Sequence, residues 1–352
     1  MNALNNIDRP VRFLVVLFGS LGDVARALFI PNVLKKNFPG CHITWAIEEN
    51  CLDLVRCSSA IDEVKCFERS NGIRAYLRFL SDLRSSHYDI CLDLQRHVKS
   101  GFTSWISAAG RRIGFHRKNS KEGNWIFNNE HISFFDNSLA KIDHYAEFLR
   151  HLNLSFDELY TFDLKEPEVA LDVGKFEPFV SIVLGSRWET KDWFLGGYKE
   201  LVKLILTHTN HKVVLLGTSK EVDLGRNLED HVGSDDRFIN FVGKTTLAEL
   251  IFLMSRAKLG IGPDSGPGHV AAAFRTPYVA LFGPTDWRRV APYGSEHLAV
   301  SAHTPCSPCW RKHCPGLNKV CMRLISASMV WNEAQKILFS SRSIGLGGEK
   351  TS

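Results

Sequence analysis

Arg12-Phe13-Leu14-Val15-Val16-Leu17-Phe18-Gly19-Ser20-Leu21-Gly22-Asp23 is an apolar run that ends in two glycines and an acid, just before a stretch with helical periodicity. The run Phe13–Phe18 is strand length, far short of the roughly 18 apolar residues that span a bilayer. A strand that turns through glycines straight into a helix belongs to an open α/β sheet, whose ligand crevice lies at the carboxyl ends of its strands. The glycines here are spaced G-x-x-G and followed by Asp23, so the dinucleotide fingerprint G-x-G-x-x-G is not met, and the acid would repel a pyrophosphate. A dehydrogenase is therefore disfavoured. Asp23 has two readings at this point: an acid–base group in a crevice, or a helix cap.

The same rhythm continues outward from this loop. Ile43–Ile47, Val64–Phe67 and Ile90–Leu94 read as further strands, separated by helices over Val24–Phe38, Leu52–Cys57 and Ile73–Leu83. After the polar, Pro-containing stretch 165–178 the pattern restarts. Val180–Leu184, Val213–Leu216, Phe238–Phe241, Leu259–Ile261 and Tyr278–Phe282 are its strands. Leu247, Leu250, Ile251 and Met254 mark one face of a helix over Thr246–Arg256. The expectation is an α/β chain of two facing Rossmann-like domains with parallel sheets: residues 1–164, a linker 165–178, and residues 179–325. A last helix is expected over 326–341, from an amphipathic stretch at Ser328–Leu338, and a disordered tail over 342–352.

A chain of 352 residues, 44% hydrophobic and 23% charged, has the size and composition of about two globular domains. The net charge of +5 is too small to imply nucleic acid by itself, and no nucleic-acid-binding module is present. Gly19, Gly22 and Asp23 interrupt any signal-peptide core early, so a soluble protein of the cytoplasm is expected. Nine cysteines, an odd number, fit reduced thiols better than a disulfide scaffold.

Three further segments carry chemistry. Gly262-Pro263-Asp264-Ser265-Gly266-Pro267-Gly268-His269 feeds small residues into the helix that contains Val270–Ala273, which points backbone N–H groups at one spot and suits a phosphate. Gly185-Ser186-Arg187-Trp188-Glu189-Thr190-Lys191 follows a strand and offers a hydroxyl and an ammonium for a leaving diphosphate. Arg96 to Lys121 holds Arg96, Lys99, Arg111, Arg112, Arg117, Lys118 and Lys121 with no acid, which reads as an anion clamp or as a solvated basic face. Cys306, Cys309, Cys314 and Cys321 crowd into one segment. Their spacing is looser than standard metal knuckles, so structural thiols are favoured over a metal site.

Taken together, RFLVVLFGSLGDV, YDICLDLQRHVKS, RRIGFHR, LGSRWETKDW, FVGKTTLAEL, GIGPDSGPGHVAAA and VALFGPTDWRRVAPYG resemble glycosyltransferase family 9, the bacterial heptosyltransferases of the lipopolysaccharide inner core. The likeness extends from about residue 12 to about residue 340. It implies a GT-B fold whose first domain handles the acceptor and whose second binds ADP-heptose. By the same resemblance Asp23 is the catalytic base. Ser186, Lys191, Gly243, Lys244, Asp264, Ser265, Gly266 and His269 are donor-binding residues, and Gly22, Arg96, Lys99, Arg111 and Arg112 hold an anionic, lipid-linked saccharide.

An inverting displacement without cofactor or metal is expected, since no D-x-D motif occurs in the sequence. Peripheral contact with the cytoplasmic face of the inner membrane is expected with it. Pro263 and the bulky Arg187-Trp188 depart from the family pattern and bear on the donor. The rival readings are the same fold with another donor or a protein acceptor, an idle binding protein, and a nucleotide-sugar epimerase.

Overall fold

The computed structural model describes residues 9–340 apart from Glu158 and Phe176. Ser341, at the end of the expected last helix, and the tail 342–352 lie outside the described residues. The chain divides into two compact units, one ending at Lys165 and the other beginning at Glu166.

The first unit is built on β1 (Arg12–Val16), β2 (His42–Glu48), β3 (Glu63–Phe67), β4 (Ile90–Asp93), β5 (Arg111–Gly114) and β6 (Glu130–His131). They form one sheet in the order β3-β2-β1-β4-β5-β6, parallel throughout, with Phe13 in register with Ile43 and Ile90. Leu14, Val16 and Phe18 pack on one face with Phe79, Leu80 and Leu83 of helix Gly72–Ser85. Burying each such side chain contributes about 1.5–3 kcal/mol.

The second unit carries β7 (Phe179–Val183), β8 (Lys212–Leu216), β9 (Phe238–Asn240), β10 (Leu259–Pro263), β11 (Tyr278–Phe282) and β12 (Ala299–Ser301). Their order is β12-β11-β10-β7-β8-β9, again all parallel. The helix Ala327–Leu338 places Val330, Ala334 and Ile337 in the same core as Val180, Ile182 and Leu281.

Two features depart from the sequence reading. The single helix expected over Val24–Phe38 is two, Leu21–Ala27 and Phe29–Asn37. Pro31 has no N–H to donate to the Ala27 carbonyl, so one helix ends there and the proline sits in the first turn of the next, where a missing donor is harmless. The short strands β5, β6 and β12 were not anticipated. Arg-Arg-Ile-Gly, Glu-His and Ala-Val-Ser are too brief and too polar to announce themselves as strands.

Candidate functional site

The carboxyl end of the first sheet gathers Asp23, Arg96 and Lys99. Ser20 is the N-cap of Leu21–Ala27, and no side chain supplies a cap hydrogen bond. The Asp23 carboxylate does something else. Its Oδ2 accepts from Ser20 Oγ at 2.9 Å, its Oδ1 accepts from Arg26 Nη1 at 3.0 Å, and Lys141 Nζ lies 3.6 Å away. The buried Tyr145 hydroxyl also bonds to it, and burial, followed by the Asp23 charge, pushes that phenol well above its ordinary range. About a quarter of the Asp23 side chain, 26%, stays exposed, so solvent or a ligand can reach it. Gly22 is buried in the same first turn.

Arg96 stacks 4.4 Å above Phe115 and donates to His144 Nδ1 at 2.8 Å, while His144 Nε2 donates to the Leu139 carbonyl at 3.0 Å. Lys99 reaches Glu48 at 2.6 Å and lies 4.0 Å over the Phe67 ring. Both belong to the segment that follows β4, and a buried acid organises that segment. Asp93 accepts from Asn124 Nδ2 at 2.6 Å and Asn128 Nδ2 at 3.1 Å, and its Oδ1 accepts from the Gln95 backbone. Gln95 in turn accepts from the Phe18 N–H at 3.0 Å, which ties the segment to the glycine loop. Burial pushes the Asp93 carboxyl up to about 6, against the hydrogen bonds from Asn128 and Asn124.

Arg111 and Arg112 stand elsewhere. They begin β5, opposite Ile90 and Cys91 at the start of β4, and so lie at the amino edge of the sheet, away from Asp23. Arg111 is forked onto Glu130 at 2.8 and 2.6 Å, and Arg112 donates to the carbonyls of Ala109 and Phe127. Their charges hold strands and loops together rather than facing the crevice end.

In the second unit, Lys191 and Asp264 form the centre of a polar cluster at the carboxyl ends of β7 and β10. Lys191 Nζ donates to Asp264 Oδ2 at 2.7 Å and to the Asp264 carbonyl at 3.3 Å, beneath the Trp188 ring at 4.7 Å. Thr285 Oγ1 donates to the same Asp264 oxygen at 2.9 Å, and His269 Nε2 stands 3.8 Å from the other. Burial opposes ionisation of Asp264, but His269 and Lys191 outweigh it and hold the carboxyl far below the usual range.

Ser265 occupies the N-cap position of the helix Gly266–Ala273, without a side-chain cap hydrogen bond. Gly266 and Gly268 carry N–H groups that no earlier turn of the helix satisfies, and Pro267 carries none. Close packing requires a glycine at this turn. A Cβ on Gly268 would come within 2.8 Å of the buried Tyr278 ring, so only glycine lets the helix start sit this near the sheet.

The other residues expected on the donor side follow β7 and β9 of the same sheet. Ser186 Oγ donates to the Trp188 carbonyl, and the Ser186 N–H donates to Asp192, which shapes the loop from within. Gly243, at φ +72°, donates its N–H to the Gly217 carbonyl, and Lys244 Nζ donates to Asn240 O. Sequence reasoning did not single out Glu221. It closes a capping box with Thr218, and its carboxyl occupies the place a side chain on Gly185 would fill. Thr285, Lys141 and Tyr145 were also missed; Thr285 sat inside a noted motif, whereas the other two carry no local signal. The four clustered cysteines are all free, Cys306 and Cys309 exposed and Cys321 buried. Among the described residues no group of three or more His, Cys, Asp or Glu side chains is arranged to hold a metal.

The profile of glycosyltransferase family 9 (heptosyltransferase) matches residues 76–319, about two thirds of the chain. The chain belongs to this family. It is a glycosyl-transferring enzyme with the GT-B fold. Among its relatives, the lipopolysaccharide core heptosyltransferase OpsX of Haemophilus influenzae is 26% identical over 308 residues, covering 84% of this chain and 86% of that one. The lipopolysaccharide heptosyltransferase 1 of Salmonella typhimurium is 24% identical over 319 residues, covering 85% and 95%. Among solved structures, the E. coli heptosyltransferase WaaC with ADP superposes with a TM-score of 0.74 at 19% identity, covering 93% of this chain and 99% of that one. The family 9 fold thus accounts for both sheets, and the residues at their carboxyl ends are where its chemistry is to be sought.

Proposed function

We propose that this family 9 enzyme transfers heptose from ADP-heptose to an anionic inner-core lipopolysaccharide acceptor, with inversion. The observation that carries the reading is the Asp23 carboxylate, about a quarter exposed at the carboxyl end of the first unit's sheet; the second unit, taken by itself, offers a fixed ammonium and a helix start at the carboxyl end of its own sheet. The names of the relatives supply the sugar and the acceptor.

In this reading Asp23 takes the proton from the attacking acceptor hydroxyl, and Ser20, Arg26 and Lys141 fix its carboxylate in place. Arg96 and Lys99 hold anionic groups of the acceptor. Lys191 has three donors, of which two go to Asp264, so the third is directed to the departing diphosphate. The first-turn N–H groups of Gly266–Ala273 meet the same charge. Gly243, Lys244 and Ser186 line the nucleotide side. With no D-x-D motif in the sequence, protein cations do the work that a carboxylate-bound metal does in other nucleotide-sugar enzymes. The acceptor is lipid-linked, which brings the enzyme to the cytoplasmic face of the inner membrane.

The test is release of ADP from ADP-heptose in the presence and absence of a Kdo-bearing lipid A acceptor, with the anomeric configuration of the product read by NMR. Acceptor-dependent ADP release with an inverted linkage supports the proposal. ADP release with a UDP-sugar alone, or product formed without acceptor, defeats it.

A further inference from the structure

The helix Gly72–Ser85 leaves Ile73 and Leu77 in water, 69% and 58% exposed, although the partly buried Tyr76 and the buried Phe79 of the same helix pack on the core. Single exposed apolar side chains need no explanation, but these two are spaced i, i+4 and so stand in one row. Arg74 and Arg78 follow them at the same spacing and make a second, basic row beside the first. Among the described residues neither arginine is ion-paired. The nearby acids have partners: Asp82 pairs with Lys65 at 2.8 Å, Glu68 with Asn71, and Glu49 with Ser70.

The row does not stand alone. Tyr76 donates to the Lys99 carbonyl at 3.2 Å and bonds Thr103 at 2.9 Å, so the helix Val98–Ile106 packs alongside. Its first residue, Val98, is 44% exposed. Ile126, 66% exposed, lies in the turn Asn124–Phe127, and Phe127 contacts Phe102 of that same helix.

Position gives this surface its meaning. Helix Gly72–Ser85 begins just past the carboxyl end of β3, Val98 just past that of β4, and Ile126 lies in the connection that leaves the carboxyl end of β5. Asp23 follows β1 on the same edge. The apolar and basic side chains therefore project from the end of the unit that carries the Asp23 carboxylate.

We infer that Ile73, Leu77, Val98 and Ile126, with Arg74 and Arg78, form a docking surface for an anionic phospholipid bilayer. An amphipathic helix with apolar and arginine rows lies in the interface plane, its apolar side chains in the acyl boundary and its guanidinium groups on lipid phosphates. Docking of this edge holds Asp23 at the level where a lipid-anchored saccharide leaves the headgroups. No helix among the described residues is long and apolar enough to cross a membrane, so attachment by such a surface is the form of contact open to these residues. The role in catalysis rests on the proposed acceptor; the binding itself does not.

The experiment is cosedimentation of the full chain with phosphatidylcholine vesicles, with and without phosphatidylglycerol. Wild type is expected to bind the anionic vesicles, and added salt weakens that binding. The I73E/L77E variant should lose at least about tenfold in partitioning with an unchanged melting temperature, since both side chains are already in water. R74E/R78E should lose the preference for anionic vesicles. Transfer to a lipid-anchored acceptor should fall in I73E/L77E, while transfer to its deacylated, soluble counterpart stays at the wild-type rate.

Wild type that ignores phosphatidylglycerol vesicles, or I73E/L77E that binds them as well as wild type, overturns the proposal. So does a variant that loses self-association but keeps vesicle binding, because the face then belongs to a second copy. Vesicle binding without any transfer to the saccharide would overturn the acceptor reading instead and leave the docking surface standing.

Discussion

Lys191 Nζ lies 2.7 Å from Asp264 Oδ2, and the two side chains are only 14% and 6% exposed. The motif that reads as an anion loop thus turns its own acid inward, onto the lysine. The aspartate does not face a diphosphate. In the proposed reading it orients the ammonium that meets the diphosphate, and Thr285 and His269 hold the aspartate in turn.

Removing Lys191 should therefore injure two properties at once. Lys191→Ala leaves a buried carboxylate without its main partner, which costs about 3–5 kcal/mol of stability. It also weakens ADP binding by at least about tenfold. Denaturant melts and ADP titration of Lys191→Ala, Asp264→Asn and the double variant test this as a cycle, with coupling of about 0.5–3 kcal/mol expected. Additive losses would mean that the pair is not a unit. The acid limb follows from the same pair. The folded Asp264 carboxyl titrates below its unfolded value, so its contribution is complete above about pH 4 and is lost as the pH falls further. Asp264→Asn should flatten the wild-type decline in stability in that acid range.

The basic stretch divides into two groups at opposite ends of the sheet. Arg96→Ala and Lys99→Ala are expected to raise the acceptor KM with donor affinity nearly intact. Arg111→Ala should leave the acceptor KM unchanged and lower stability instead. Arg111, with opposition from burial and help from His151, holds the Glu130 carboxyl down at about 2. Stability from that pair is present above about pH 4.5 and is lost as the pH falls toward 2. Arg111→Ala should remove this part of the acid dependence, read by thermal melts across that range. A raised acceptor KM in Arg111→Ala would return this residue to the acceptor side.

Much of the architecture was legible because the central strands are short apolar runs, most of them bounded by glycine or proline, and they announce themselves that way. The edges were not legible. Strand β5 opens with two arginines and β12 has three residues, so neither carries a pattern, and the split at Leu28 depended on weighing Pro31 above the helical period. The same division holds at the sites. Asp23 is visible from its loop alone, but Lys141 and Tyr145, which meet it in space, are over a hundred residues away and have no local motif. Arg111 and Arg112 looked like part of one patch because charge was counted along the chain, whereas a four-residue strand carries them to the opposite edge from Arg96.

Asp93 gives a prediction of opposite sign to the acid-range pairs. Its carboxyl is raised to about 6 by burial, so between about pH 4 and 6 the folded state binds more protons than the unfolded. Its ionisation above that range opposes folding, and its contribution to stability should decline as the pH rises through the window. Asp93→Asn should show no such decline, measured as urea midpoints at steps from pH 4 to 7. A wild-type and variant pair with parallel profiles in that window would rule out a raised Asp93. The variant should also raise the acceptor KM modestly, because Asn124 and Gln95 position the segment that carries Arg96 and Lys99.

Asp23 separates catalysis from capping most cleanly. The cap position of Leu21–Ala27 is Ser20, and the Asp23 carboxylate instead faces Ser20 Oγ, Arg26 and Lys141. Asp23→Asn preserves shape and can still accept hydrogen bonds through its carbonyl oxygen, but it cannot take a proton from an acceptor hydroxyl. Turnover should fall by about 10²–10⁴, with ADP binding unchanged. The lost charge leaves Arg26 and Lys141 facing a neutral amide, and about 1–2 kcal/mol of stability is expected to go with it. Asn would serve a helix start as well as Asp, so a purely structural role predicts an active enzyme. Turnover, ADP affinity and melting temperature measured on one preparation distinguish the cases. An Asp23→Asn enzyme with wild-type kcat would place the base on another residue at the carboxyl end of the first sheet, and one that loses ADP affinity as well as kcat would show that the substitution disturbs more than proton transfer.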